Sequence, residues 1–191
     1  MKLPVCLSLC LLLLPCLSSA TTLNFEDLAD QAVVTNQYAA QGVTFSNALA
    51  LKSGLSLNDF DFPPHSGLSV ISDNGNGPLQ IFFSTPETLV SLWITYNSGL
   101  TVKYFDSVGT LQGVFAPPGA MNTPTGAQFS IPFSGVSRLD IVPGSGFSVT
   151  IDDLSFVAVN AVPEPATASL LSLGMLALCY RRSKTASSKA V

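Results

Sequence analysis

What most restricts the fold of this chain is its punctuation. Over residues 21–161, short runs of β-branched, aromatic and aliphatic residues recur at intervals of about ten residues, each closed by Gly, Pro, Asn or Ser. No stretch of that interval sustains an apolar period of 3.6 residues, so helices do not supply a core there. Residues 30–40 are the one place left for a short helix or an irregular loop. The runs predict strands at 23–26, 42–46, 48–52, 68–72, 79–84, 88–96, 101–106, 111–115, 127–131, 137–142, 147–152 and 154–159. Short antiparallel strands with turn residues between them give an all-β sandwich or barrel.

Alternation assigns faces to these strands. Val90, Leu92, Ile94 and Tyr96 share one parity and face the core, which leaves Trp93 on the other side of a central strand. Phe147, Val149 and Ile151 have one parity, Leu154 and Phe156 the other, and Asp152-Asp153 stands at the switch as a bulge or bend would. Asp73-Asn74-Gly75-Asn76-Gly77-Pro78 reads as a hairpin turn, because its residues tolerate positive φ and it lacks the spacing and closing Glu of a calcium loop. The stretch from Asn58 to Gly67 is long for a compact domain, and long loops on rigid sandwiches are common binding sites.

Charge and cysteine usage separate this middle from the two ends. Cys6, Cys10 and Cys16 precede it and Cys179 follows it, so an interval of about 140 residues must be held by its core or by a metal rather than by disulfides. It carries Lys52, Lys103 and Arg138 against eleven acidic residues, a balance of −8. That balance excludes nucleic acid and anionic lipid as partners, since both require a basic patch.

The N-terminus has the three parts of a secretory signal. Lys2 supplies the charge, residues 3–17 are apolar, and Ser18-Ser19-Ala20 offers signal peptidase a cleavage point after Ala20. A lipoprotein signal at Cys16 is the alternative, although Pro15 stands where such signals carry a small residue.

The C-terminus also has three parts. Pro163-Glu164-Pro165 cannot propagate a helix and stays extended. Residues 166–180 carry no charge, and Arg181-Arg182 follow directly, orienting the segment in a membrane with the arginines on the cytoplasmic side. At fifteen residues the apolar run falls short of the roughly twenty of a comfortable span. In motif, apolar helix and basic cluster, residues 162–184 resemble the PEP-CTERM sorting signal of exported bacterial proteins, with residues 185–191 left as a cytoplasmic tail. The resemblance implies recognition through Pro163, Glu164 and Pro165, retention by a transmembrane helix, orientation by Arg181 and Arg182, and cleavage by an exosortase-type transpeptidase.

A second, looser resemblance covers residues 21–161. Leu23-Asn24-Phe25-Glu26-Asp27-Leu28, the Gly42-Val43-Thr44-Phe45 strand and the closing Ile151-Asp152-Asp153-Leu154-Ser155-Phe156 are similar to the ends of galactose-binding-like jelly rolls and carbohydrate-binding modules. In such folds the first and last strands are neighbours. Glu26, Asp27, Asp152 and Asp153 would then converge, and calcium, which takes hard oxygen ligands, is the cofactor they would hold. Aromatic rings suit the C–H-rich faces of sugars. Phe60 and Phe62 in the long loop, together with Trp93, are therefore the candidate glycan platform.

Catalysis finds little support. No carboxylate pair is singled out for glycoside hydrolysis, and the single histidine, His65, has neither a Gly-x-Ser-x-Gly elbow nor a cysteine to serve. The expectation is a non-catalytic surface or matrix protein that binds polysaccharide. The alternative is a small secreted hydrolase acting on polysaccharide.

Overall fold

The computed structural model describes residues 20–158, apart from 118–119, 123–126, 132 and 145–148. Chain contacts divide it into two units, Ser19–Val159 and a second made of residues 1–18 and 160–191, and the second lies outside the described residues. The expected signal peptide, sorting motif and apolar helix all fall there. Among the described residues no helix is long and apolar enough to cross a membrane.

The described unit is an antiparallel β-sandwich of jelly-roll type. Its strands are β1 (Thr21–Leu23), β2 (Val33–Val34), β3 (Val43–Ser46), β4 (Ala48–Lys52), β5 (Ser69–Asp73), β6 (Leu79–Tyr96), β7 (Leu100–Phe105), β8 (Leu111–Phe115), β9 (Ala127–Ile131), β10 (Val136–Pro143) and β11 (Val149–Ala158). A 3-10 turn, Ala39–Gln41, occupies the stretch left open for irregular structure.

Strand β6 organises the rest. Its first half pairs with β3 and β10, its second with β9 and β11. Since a strand has two hydrogen-bonding edges, changing both partners makes one strand a member of two layers. One layer runs β3-β6-β10-β7-β8, the other β2-β4-β5-β11-β6-β9, with β1 also on β11. The expected break between residues 84 and 88 is thus a bend, not a strand end. Leu79, Ile81 and Phe83 are buried before it, and Val90, Leu92, Ile94 and Tyr96 after it. The inward parity therefore flips across exposed Ser84 and Thr85 and half-buried Pro86, whose missing N–H suits a place where ladder pairing lapses.

The second correction of this kind concerns β11. It is one strand with a bulge between Asp152 and Ser155, and Asp153 takes φ 46°, a left-handed conformation that Asp tolerates better than most residues. The extra residue keeps both Ile151 and Leu154 in the core and re-aims the two carboxylates. Strand β1 ends at Leu23, earlier than expected, so Glu26-Asp27 lies in a turn beyond it.

One cluster fills the space between the layers. Phe83 of β6 meets Phe156 of β11 at 5.5 Å between ring centroids, joining the two halves. Phe25, Tyr38 and Phe45 close one end edge-to-face, at 5.7 to 6.2 Å. Tyr38 donates a short hydrogen bond to Asp27, and burial together with that carboxylate pushes its phenol pKa up.

Candidate functional site

The outward surface of the β2-β4-β5-β11-β6-β9 layer carries the site. Register sets Val33, Leu49, Ser72, Thr150 and Thr95 in one row across five strands. In the next row Asp152 opposes Trp93, and Trp93 opposes Gln128.

Over this surface lies the segment 53–68 between β4 and β5, and apolar packing holds it down first. Its Leu57 and Phe62 join Val70 and Leu51 in a small second core on the outer side of the sheet. Phe62 is 7 % exposed and anchors the loop, so it is not an exposed ring of the kind its sequence context suggested. Phe60, 87 % exposed, remains free to meet a ligand.

Carboxylates hold the loop second. Asp30 accepts hydrogen bonds from Lys52 N at 2.9 Å and Ser56 Oγ at 2.5 Å. Within the loop, Asp59 accepts from Gly54 N and Asp61 from Asn58 Nδ2. Glu26 Oε1 accepts from Leu68 N at 2.9 Å and Ser69 N at 2.7 Å. Its carboxylate occupies the space a Cβ on Gly67 would need, and Gly67 has φ +53°, so glycine is required there twice over.

At the far end of the loop the β11 bulge contributes two acids. Asp152 Oδ2 accepts from Ser66 N at 2.9 Å, and its Oδ1 accepts from Asp153 N at 2.8 Å. Asp153 Oδ1 accepts from Ser66 Oγ at 3.0 Å. Its Oδ2 lies 2.8 Å from His65 Nδ1, and since a carboxylate only accepts, Nδ1 carries the proton. The His65 ring stacks on Trp93 at 3.6 Å and 9°. One face of Trp93 is therefore covered by protein. Burial pushes the Asp152 carboxyl up to about 6; neighbouring Asp153 adds to this, while the amides of Ser66, Asp153 and His65 pull it down.

The expected calcium set does not form. Asp27 turns away to Tyr38, whereas the oxygens of Glu26, Asp152 and Asp153 are taken up by loop donors. Among the described residues no three His, Cys, Asp or Glu side chains are grouped to hold a metal ion. The geometry does not group these residues as a calcium site: Glu26 Oε1, Asp27 Oδ1 and both oxygens of Asp152 and Asp153 already face an N–H or O–H. Chelation is expected to leave the melting midpoint unchanged.

Between the loop and the sheet a groove of about 300 Å³ remains. Leu49 and Leu51 of β4, Ser72 of β5 and Thr150 of β11 make its floor, and the loop supplies Ser56, Leu57, Asn58 and Phe62, with Gln31 at one edge. An apolar floor with a few convergent polar groups is the usual construction of a small-ligand site, and this volume is at the lower end of the range. Sequence analysis missed Gln31, Ser56, Ser72 and Thr150, and gave His65 no role in the site. The length of the loop was the signal that pointed to this surface; the floor residues carry none.

The described residues form a β-sandwich domain, and a sorting motif follows it in the sequence. Residues 161–183 match the PEP-CTERM protein-sorting motif. No curated protein matches the chain. Among solved structures it is similar to a family 29 carbohydrate-binding module mutant complexed with mannohexaose, at 10 % identity over 73 % of this chain and 92 % of that one, TM-score 0.41. It is also similar to a family 6 carbohydrate-binding module, at 16 % identity over 72 % and 93 % of the two chains, TM-score 0.39. A third likeness is to the lectin-binding domain of lectinolysin complexed with Lewis b, at 10 % identity over 74 % and 92 %, TM-score 0.33. Pro163, Glu164, Pro165, Arg181 and Arg182 fall within the matched motif and outside the described residues, and Ala20 stands exposed directly before β1.

Proposed function

We propose that this chain is a surface or extracellular-matrix protein that holds polysaccharide in the groove beneath segment 53–68 without turning it over. Signal peptidase acts after Ala20 at one end, and an exosortase-type transpeptidase acts on the PEP-CTERM signal at the other. The observation that carries the binding proposal is the preformed groove. Its floor combines Leu49 and Leu51 with the hydroxyls of Ser72 and Thr150, its edges offer hydroxyl and amide groups, and the loop that shapes it is fixed in advance by the carboxylates of Glu26, Asp30, Asp152 and Asp153. Such pre-organisation lowers the ordering cost of binding.

The test is retention of the purified full-length protein on a panel of immobilised glycans, with soluble products assayed in parallel. Retention without products supports a binding module. Release of products favours the polysaccharide hydrolase instead, and no retention on any glycan removes the binding proposal. Processing is tested separately: Glu164→Ala is expected to accumulate membrane-bound precursor on an immunoblot, and normal maturation of that variant would count against an exosortase.

A further inference from the structure

Charge around the groove is unevenly distributed. No ionisable side chain lines the groove. Acids stand immediately behind its polar edge: Asp30 holds Ser56 at 2.5 Å, Asp61 holds Asn58 at 2.6 Å, and Asp59 lies between them on the loop. Asp152 and Asp153 fix the other end of that loop. The cations are elsewhere. Lys103 and Arg138 pair in register with residues of the β3-β6-β10-β7-β8 layer, and Lys52 closes β4 on the parity opposite to the groove residues Leu49 and Leu51. A ligand in the groove meets neutral donors and acceptors in a field set by carboxylates, with no lysine or arginine among the described residues that line it.

We infer that the groove selects uncharged sugar rings and rejects polysaccharides bearing carboxylate or sulfate groups. The inference rests on the binding proposal above and narrows it to a ligand class. Its physical basis is that fixed like charges repel an anionic chain at distances comparable with the Debye length, about 30 Å at 0.01 M salt and about 8 Å at 0.15 M. The bond-making part of the site, being neutral, is insensitive to salt.

Isothermal titration of the full-length protein in detergent separates the outcomes. The probes are three uncharged hexaoses (mannohexaose, xylohexaose and cellohexaose) and hexagalacturonate, each at about 0.01 M and about 0.15 M salt, the concentrations whose screening lengths differ most usefully. The expected result is that at least one uncharged hexaose binds with an affinity independent of salt. Hexagalacturonate then binds at least about tenfold more weakly at low salt, and the gap narrows as salt screens the acids. Asp59→Asn/Asp61→Asn, which keeps a hydrogen-bond acceptor at each position, narrows the gap at low salt as well. If hexagalacturonate binds as tightly as the best uncharged probe, the selectivity is overturned while glycan binding stands. If no probe binds, the binding proposal itself falls and the selectivity with it.

Discussion

The two outer faces of the sandwich solve the same problem differently. On the β3-β6-β10-β7-β8 face, Thr44, Phe82, Arg138 and Phe105 stand in register, with the Arg138 guanidinium 3.8 Å from the centre of the Phe105 ring. Asp140 pairs with Arg138 at 3.0 Å and accepts a hydrogen bond from Gln80. These groups meet partners on their own strand or the adjacent one. The opposite face leaves Leu49, Ser72 and Thr150 unfinished and brings in a distant loop to cover part of them. What differs is the kind of partner, strand residues in register on one face and a loop laid over the strands on the other, and with it the opportunity for a space to remain between them.

Four measurements sharpen or break this contrast. Phe62→Ala empties the small core under the loop and is expected to cost about 3 kcal/mol, the usual range for a buried phenylalanine, with loss of hydrogen-exchange protection over 53–68. Equal protection in the variant would mean that the carboxylates alone hold the loop.

Asp152→Asn tests the charge side of the same tether. Because the folded protein holds the Asp152 proton more tightly than the unfolded chain, whose Asp pKa is about 3.9, the stabilisation is complete below about pH 4. It is lost as pH rises through about 6. The wild type should therefore lose on the order of 2 kcal/mol from this group between those limits, and the asparagine variant should lack that slope. Parallel pH profiles of the melting midpoint would refute the assignment.

His65→Ala removes the ring that covers Trp93, and is expected to cost about 1 kcal/mol from the lost stacking and hydrogen bond. Trp93 is the chain's one tryptophan, so its emission reports the change directly as a red shift. The smallest effect is expected on the other face, where Arg138→Ala should cost about 0.5 kcal/mol, as exposed cation-π and ion-pair contacts do, and should leave glycan affinity untouched. A loss of glycan affinity in that variant would move the binding surface to the wrong layer.

How much of this was legible in advance follows from the range of the interactions. Strand positions came through clearly in Val43 to Lys52, and strand position with inward face in Val90 to Tyr96, because alternation is a local property of extended chain. The bend in β6 did not, since exposed Ser84 and Thr85 beside Pro86 look like a strand end until β3, β10, β9 and β11 are seen to share one strand. Phe60 and Phe62 carry a similar local signature, each directly preceded by an aspartate, yet one is exposed and the other is an anchor, decided by where Val70 and Leu51 lie.

By itself the sequence determined the all-β class, the parity of its core strands and the sorting signal, each encoded by neighbours a few residues apart. The convergence of Glu26, Asp152 and Asp153 on the amides and side chains of one loop, the cover of His65 on Trp93 and the groove beneath Phe62 were decided only by the tertiary structure. The carboxylate contacts join residues more than forty positions apart, from Glu26 with Leu68 to His65 with Asp153, and a carboxylate's partner depends on which donor the fold brings within 3 Å.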